Sequence, residues 1–320
     1  ADRVKKDVPV MVVMGNPPYS GHSSNKNDFI DKLLEDYKKE SDGRKLQEKN
    51  SKWLNDDYVK FIRYSESYIE KNQEGVLGFI TNNSYINNPT FRGMRYHLLK
   101  TFDKIYVIDL HGDSKKKETA PDGSKDENVF DIMQGVSINI FIKRKQKSKK
   151  LGDVYHYDLY GKRDFKYEFL SENNLKSVNW EKLDYSEPNY FFVKKDFTDI
   201  KEYEKGFKIS DLFILKNAGS ATGKDALFVD ETKENLIKKL NIENIEFNEN
   251  NIVKYNYRVF DNHYFLYDNK LIQRLRENLM KNFRFENIAL ISTKILSSQS
   301  YYHSFLTKLI SDRCVISNKG

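Results

Sequence analysis

The run Val10-Met11-Val12-Val13-Met14-Gly15-Asn16-Pro17-Pro18-Tyr19 decides how this chain is read. Five apolar residues in a row suit a buried strand, and Asn-Pro-Pro ends it in a turn. Two consecutive prolines fix φ at both positions and remove two N–H donors, so the oxygens around them cannot be drawn into a helix ladder. Asn16 offers a side-chain carbonyl, Pro17 a main-chain carbonyl and Tyr19 an aromatic face. The same dipeptides build ordinary turns. The distinguishing feature here is the position directly after an apolar strand.

A rigid, acceptor-rich turn beside an aromatic ring fits one chemical problem closely. An amino nitrogen attached to an aromatic ring is a poor nucleophile, because its lone pair is delocalised into the ring. Two acceptors aimed at its two hydrogens pull the nitrogen toward a tetrahedral shape and localise that pair. Positioning and preorganised electrostatics then carry most of the rate. A base inside a duplex must first be flipped out and stacked on an aromatic ring. Asn16, Pro17, Pro18 and Tyr19 are therefore the catalytic candidates, and Tyr19 is also a base-stacking candidate.

The chain has 320 residues, room for two domains, with 54 basic and 47 acidic residues and a net charge of +7. That mild excess suits a polyanionic partner. Twenty-one Tyr and 21 Phe supply both a core and stacking surfaces. Cys314 is the single cysteine, which excludes an intrachain disulfide and cysteine-rich zinc sites. No apolar run approaches the roughly 20 residues of a membrane span, and no signal peptide is visible. A cytoplasmic location and no membrane partner are expected. The chain opens on Ala1 and reaches a strand within ten residues. It reads as a fragment of a longer polypeptide.

Further strands are expected at 75–81, 105–110 and 136–142, the last alternating with period two and suggesting an antiparallel partner at a sheet edge. Tyr58, Phe61, Ile62, Ser65, Tyr68 and Ile69 have helical spacing with one apolar stripe. Phe91, Met94, Leu98 and Leu99 mark a second helix. Alternating strands and helices imply an α/β sheet. After the basic run 143–150, which reads best as a solvated strand end and linker, the texture changes to Tyr, Asn, Lys and Glu. The expected organisation is a catalytic part over 1–150, a connecting segment over 151–205 and a second, α+β domain over 206–320.

Asn-Pro-Pro-Tyr after a hydrophobic strand resembles the catalytic motif of amino-methyltransferases, above all the gamma-class adenine-N6 DNA methyltransferases. Enzymes that methylate a glutamine side chain carry the same four residues. Gly75–Asn82 resembles the gamma class's next core strand. Val129-Phe130 followed by Gly135-Val136-Ser137-Ile138 resembles its later motif, in which an aromatic residue stacks on the flipped base. That likeness implies a base-stacking role for Phe130, which is equally readable as a core aromatic. Asn16–Ser20 with Gly21-His22-Ser23, then 85–95, 109–117 and 121–130, are similar to the single-polypeptide translocating restriction-modification enzymes of type ISP.

The resemblance implies a Rossmann-like sheet of which this chain carries the C-terminal half, the cofactor strands being absent, followed by a target-recognition domain. It implies S-adenosylmethionine as cofactor, with most of its site upstream, double-stranded DNA as partner, and the upstream part of the same polypeptide as a second partner. His111–Asn128 is a long polar loop of the kind that is usually functional or disordered. Lys115, Lys116 and Lys117 within it are DNA-binding candidates, a solvated loop being the other reading. His22 and His111 are discounted, because methyl transfer to an amine needs no strong general base. In the second half Lys224 and Arg258 are DNA-binding candidates, and Arg274, Arg276 and Arg284 are basic groups of the same kind.

Gly219–Lys224 is not a phosphate loop, since three residues separate its glycines and Asp225 stands where Ser or Thr would bind Mg²⁺. No glycine-rich turn of the dinucleotide kind follows a strand. The isolated chain is expected to be catalytically inactive. No metal is expected. Two other classes stay open: a protein-glutamine methyltransferase, and a non-catalytic DNA-binding specificity module.

Overall fold

The computed structural model describes residues 9–19, 23–48, 51–146, 150–293 and 304–316. The chain divides into two compact units, Ala1–Thr198 and Asp199–Gly320. His22, Ser20 and Gly21, and residues 147–149 of the basic run, lie outside the described residues. Among the described residues no helix is long and apolar enough to cross a membrane.

The first unit is an α/β sheet. Its strands are β1 (Val12–Gly15), β2 (Gly75–Asn82), β3 (Lys104–Asp109), β4 (Val136–Lys143), β5 (Asp153–Asp158) and β6 (Glu181–Lys182), in spatial order β1-β2-β4-β3-β5-β6. β1 runs parallel to β2, and β3 parallel to β5, while β4 is antiparallel to both of its neighbours. β4 is therefore an internal strand, not the partner of an edge. Its alternation follows its two faces, one buried and the other, with Ile138, Ile140 and Ile142, only half-buried. Ser137, Asn139 and Phe141 are buried. Asn139 is satisfied by the Tyr85 hydroxyl at 2.6 Å and by Thr81 Oγ1 at 3.0 Å, which is how a polar residue tolerates the core. β5 pairs with β3 from Lys104↔Asp153 to Asp109↔Asp158, so the sheet runs past the compositional change at residue 151.

Helices α1 (Asp28–Leu34), α2 (Asp57–Asn72) and α3 (Arg92–Thr101) contribute to the larger core. α2 buries Tyr58, Val59, Ile62 and Ile69, whereas Phe61 is exposed. The buried stripe is thus turned slightly from the expected one, toward Val59. All of Phe91, Met94, Leu98 and Leu99 are buried. Gly75 follows α2 at φ +149°, where a Cβ would sit 2.6 Å from both Ile69 Cδ1 and Met11 O, so only glycine allows β1 and β2 to meet there. A smaller cluster of Ile108, Leu110, Val129, Val136 and Leu159 packs against Phe169 and Leu170 of α4 (Arg163–Glu172).

The second unit has its own core around Leu236, Leu240, Tyr255, Phe265 and Ile310. It holds β7 (Val229–Asp230), α5 (Lys233–Ile242), the hairpin β8 (Ile252–Arg258) and β9 (Asp261–Leu266), the pair β10 (Ala289–Ser292) and β11 (Ser304–Thr307), and β12 (Ile310–Ser311). The four-stranded sheet has the order β12-β8-β9-β7. This is an α+β arrangement following an α/β one.

Candidate active site

Strand direction brings the expected residues to one edge. β1, β2, β3 and β5 point the same way, so their carboxyl ends lie together, and antiparallel β4 starts there. Asn16–Tyr19 leaves β1, Asn82-Asn83 ends β2, Asp109–Gly112 leaves β3, and Phe130 sits six residues before β4. This is the edge at which open α/β sheets bind ligands.

Pro17 is buried, Asn16 and Pro18 are exposed, and Tyr19 is half-buried. The Tyr19 hydroxyl donates to Asn16 Oδ1 at 2.8 Å, with the Ile80 carbonyl 3.3 Å away at the end of β2. The Tyr19 ring meets Tyr58 edge-on, centroids 6.4 Å apart. Burial pushes the Tyr19 phenol up to about 12, so it is a neutral donor throughout the physiological range. Tyr19 packs against the same small cluster as Phe130. The two candidate stacking rings thus border one apolar patch.

The loop that carries Phe130 is held from both ends. The Asn128 side chain donates to Gly112 O at 3.1 Å and Gln134 O at 2.7 Å, and accepts from Phe130 N at 2.9 Å. From α4, Arg163 Nε donates to Asn128 O at 2.8 Å, Arg163 Nη2 to Phe130 O at 3.1 Å, and the Tyr167 hydroxyl to Val129 O at 2.5 Å. Lys166, fully buried, donates to Leu110 O and Glu127 O at 2.6 Å and pairs with Asp126 at 2.8 Å. Asp126 also accepts from Gly112 N at 2.6 Å and Gly161 N at 2.7 Å. Asp126, Arg163, Lys166 and Tyr167 were not anticipated. A lysine in an amphipathic helix of mixed charge carries no mark of burial.

His111 is locked as a structural group. Its Nε2 lies 2.8 Å from Asp158 Oδ1 and its ring stacks on Tyr160 at 3.8 Å. Burial alone would lower its pKa, but the bond to Asp158 and the charge of Asp109 outweigh it, and the net shift is upward. Lys115, Lys116 and Lys117 are exposed at the tip of the same loop, with Lys116 paired to Asp113 at 3.3 Å.

In the second unit Lys224 is exposed and precedes a four-residue helix, Asp225–Phe228. Before it, Ser220 and Ala221 make bridges to Asp312 and Arg274, and Gly219 presses on the Asp312 carbonyl. The segment is a strand-like strip. The Arg258 guanidinium lies over the Tyr257 ring, 4.0 Å from its centroid, and its Nη1 reaches Asp312 Oδ1 at 3.2 Å. Arg284 donates to Asn251 Oδ1 at 3.2 Å and Asn250 O at 3.3 Å, so it braces a turn.

Residues 7–115 match the family model of Eco57I restriction-modification methylases, and residues 230–320 that of the Type ISP C-terminal specificity domain. The chain resembles the methylase and specificity regions of Type ISP enzymes. Three solved structures carry the likeness. A nuclease-deletion mutant of the Type ISP restriction-modification enzyme LlaGI, in complex with a DNA substrate mimic, has a TM-score of 0.65 and 21% identity over 98% of this chain. The DrdV–DNA complex also reaches 0.65, at 19% identity over 98%. The ATP-dependent Type ISP enzyme LlaBIII bound to DNA reaches 0.57 at 26% identity over 85%. The chain spans only 30%, 36% and 21% of those three chains. No curated protein sequence matches it.

A methylase of this kind uses S-adenosylmethionine, and the described residues do not fit a whole site for it. β1 is followed by Asn16-Pro17 and β2 by Asn83-Ser84, where such a site needs a glycine-rich turn. A cavity of about 140 Å³ in the first unit is lined mainly by apolar side chains, among them Tyr106, Ile108, Ile140, Phe169 and Trp180, with Asn173 and Asn174 as its polar groups.

Proposed function

We propose that this chain is the catalytic-acceptor and recognition part of a restriction-modification polypeptide that methylates N6 of a flipped adenine in a specific DNA sequence, with S-adenosylmethionine as methyl donor. The observation that carries the reading is the placement of Asn16-Pro17-Pro18-Tyr19 at the carboxyl edge of the sheet, bordering the same apolar patch as Phe130. Asn16 Oδ1 and the Pro17 carbonyl accept the two N6 hydrogens. Tyr19 stacks on one face of the base and Phe130 flanks it. The polarised nitrogen becomes tetrahedral as its lone pair is released from the ring, and it would take the methyl group that a bound donor gives up as its sulfur–methyl bond breaks. The surplus proton leaves to water, with no general base required. Steps on the donor side belong to residues outside this set, which we assign to an upstream part of the same polypeptide. By itself the chain is expected to be inactive.

The specificity match over 230–320 supports DNA as acceptor over a glutamine amide. Lys115, Lys116, Lys117, Lys224 and Arg258 are the proposed DNA contacts, with 1–150 as catalytic part, 151–205 connecting and 206–320 recognising. The test is methylation of plasmid DNA by the full-length protein and by Asn16→Ala, read by methylation-sensitive sequencing. Asn16→Ala is expected to lose at least about 100-fold in rate, the size of losing one preorganised polar contact to the transition state. Undiminished adenine methylation in that variant would overturn the mechanism.

A further inference from the structure

The β8–β9 hairpin closes through two residues, Val259 and Phe260, between the registered pair Arg258↔Asp261. Turns this tight normally use Asn-Gly, Asp-Gly or a single glycine, because they require a positive φ. Here Phe260 takes that position, at φ +63°. A bulky residue in the left-handed region is an outlier that asks for a reason. Packing does not supply one. Phe260 is 97% exposed and Val259 is 38% exposed, while the strands behind them bury Tyr255 and Phe265 in the core of the unit.

The base of the hairpin is stiff. The Tyr255 and Phe265 rings stack at 4.3 Å, and the Tyr255 hydroxyl donates to Asp312 Oδ2 at 2.8 Å. Arg258, next to the tip, is held over the Tyr257 ring at 4.0 Å and donates from Nη1 to Tyr257 O at 2.6 Å and Asp312 Oδ1 at 3.2 Å. Its Nε and Nη2 have no partner among the described residues. The hairpin therefore presents a fixed cation and, just beyond it, an aromatic ring with nothing to pack on.

We propose that Phe260 is a wedge: the β8–β9 hairpin enters a groove of duplex DNA, Arg258 engages the backbone, and the Phe260 ring inserts between two stacked base pairs. A two-stranded ribbon fits a DNA groove, and exposed apolar side chains at such positions unstack and kink the duplex. The idea rests on the DNA reading above and adds a residue and an action to it. It also accounts for the strained turn. A glycine there would relieve the backbone and abolish the wedge.

The test uses the full-length polypeptide and duplexes carrying the methylated sequence found by the plasmid experiment, each with one 2-aminopurine. The wild type is expected to raise 2-aminopurine fluorescence at one step apart from the flipped adenine. Phe260→Gly and Phe260→Ala are expected to lose that rise and bind roughly tenfold more weakly, with Phe260→Gly melting no lower than wild type. Phe260→Leu keeps an apolar wedge and retains the signal. If Phe260→Gly gives the same fluorescence and affinity as wild type, the wedge is wrong and the DNA reading stands. If the wild type retains no duplex, the DNA reading fails and takes the wedge with it.

Discussion

Asn16 Oδ1 is the acceptor proposed for the substrate amine, and in this structure it already accepts from the Tyr19 hydroxyl at 2.8 Å. An incoming N–H has to take over that position. The hydroxyl is then a placeholder, while the ring does the stacking. Tyr19→Phe is expected to keep methylation within about threefold of wild type, since it removes the placeholder alone. Tyr19→Ala is expected to lose roughly 10–100-fold in kcat/KM, because base–aromatic stacking is worth ~1–3 kcal/mol. Single-turnover methylation by the full-length protein separates the two, and a Phe variant as slow as the Ala variant would move the function to the hydroxyl. The turn that carries the four residues was legible, because Asn-Pro-Pro after an apolar run ends a strand. The bond between Tyr19 and Asn16 was not, since it depends on Ile80 and Tyr58 arriving from elsewhere in the chain.

Between elements, the helical layer is tied by charges. Arg63 of α2 reaches Asp36 at 3.0 Å and Glu70 at 2.9 Å, while the fully buried Glu66 takes the Tyr37 hydroxyl at 2.8 Å and His97 of α3 at 3.1 Å. Burial alone would lower the His97 pKa, but Glu66 outweighs it, and the net is above the ordinary 6.5. Burial alone would raise Glu66 and Asp36. His97 and Arg63 outweigh it for Glu66, and Lys39 and Arg63 outweigh it for Asp36, leaving them below 4.5 and 3.8. The raised histidine gives stability that is complete below pH 6.5 and lost as pH climbs through its folded value. The lowered carboxylates give stability that is complete above their ordinary values and lost as pH falls through the folded ones. The melting temperature is expected to be highest between about pH 5 and 6.5, falling on both sides by on the order of a few degrees. His97→Gln should shrink the alkaline fall in a pH series of thermal melts, and an unchanged fall would exclude this network as its source. His111 is shifted the same way, while burial lowers His156, which works against both as pH rises. Periodicity revealed α2 and α3 because burial repeats with the helix. It could not reveal that Glu66 and His97 face each other, nor that β4 is internal, because alternation reports a strand's two faces and not its neighbours in the sheet.

At the scale of the molecule, the first unit carries the proposed acceptor half of a reaction. β1 pairs with β2 alone among the described residues, and its Val12 and Met14 are 56% and 78% exposed. Among the described residues, apolar side chains and one set of backbone groups on that strand lack a neighbour, which is unusual for a strand whose carboxyl end carries the candidate chemistry. The fold class was legible from the alternation of strands and helices, whereas the change of texture at residue 151 falls inside the first unit, where β5 still pairs with β3. The internal order of the second unit was not legible, because its short strands give little periodicity. The proposed acceptor side consists of Asn16–Tyr19 and Phe130, and among the described residues no glycine-rich turn follows a strand to hold a ribose. Calorimetric titration of residues 1–320 with S-adenosylmethionine is therefore expected to give no binding tighter than a Kd of about 1 mM, roughly −4 kcal/mol. A micromolar Kd would mean that residues described here build a donor site by other means. Asn16→Ala should leave that titration unchanged if Asn16 serves the acceptor alone.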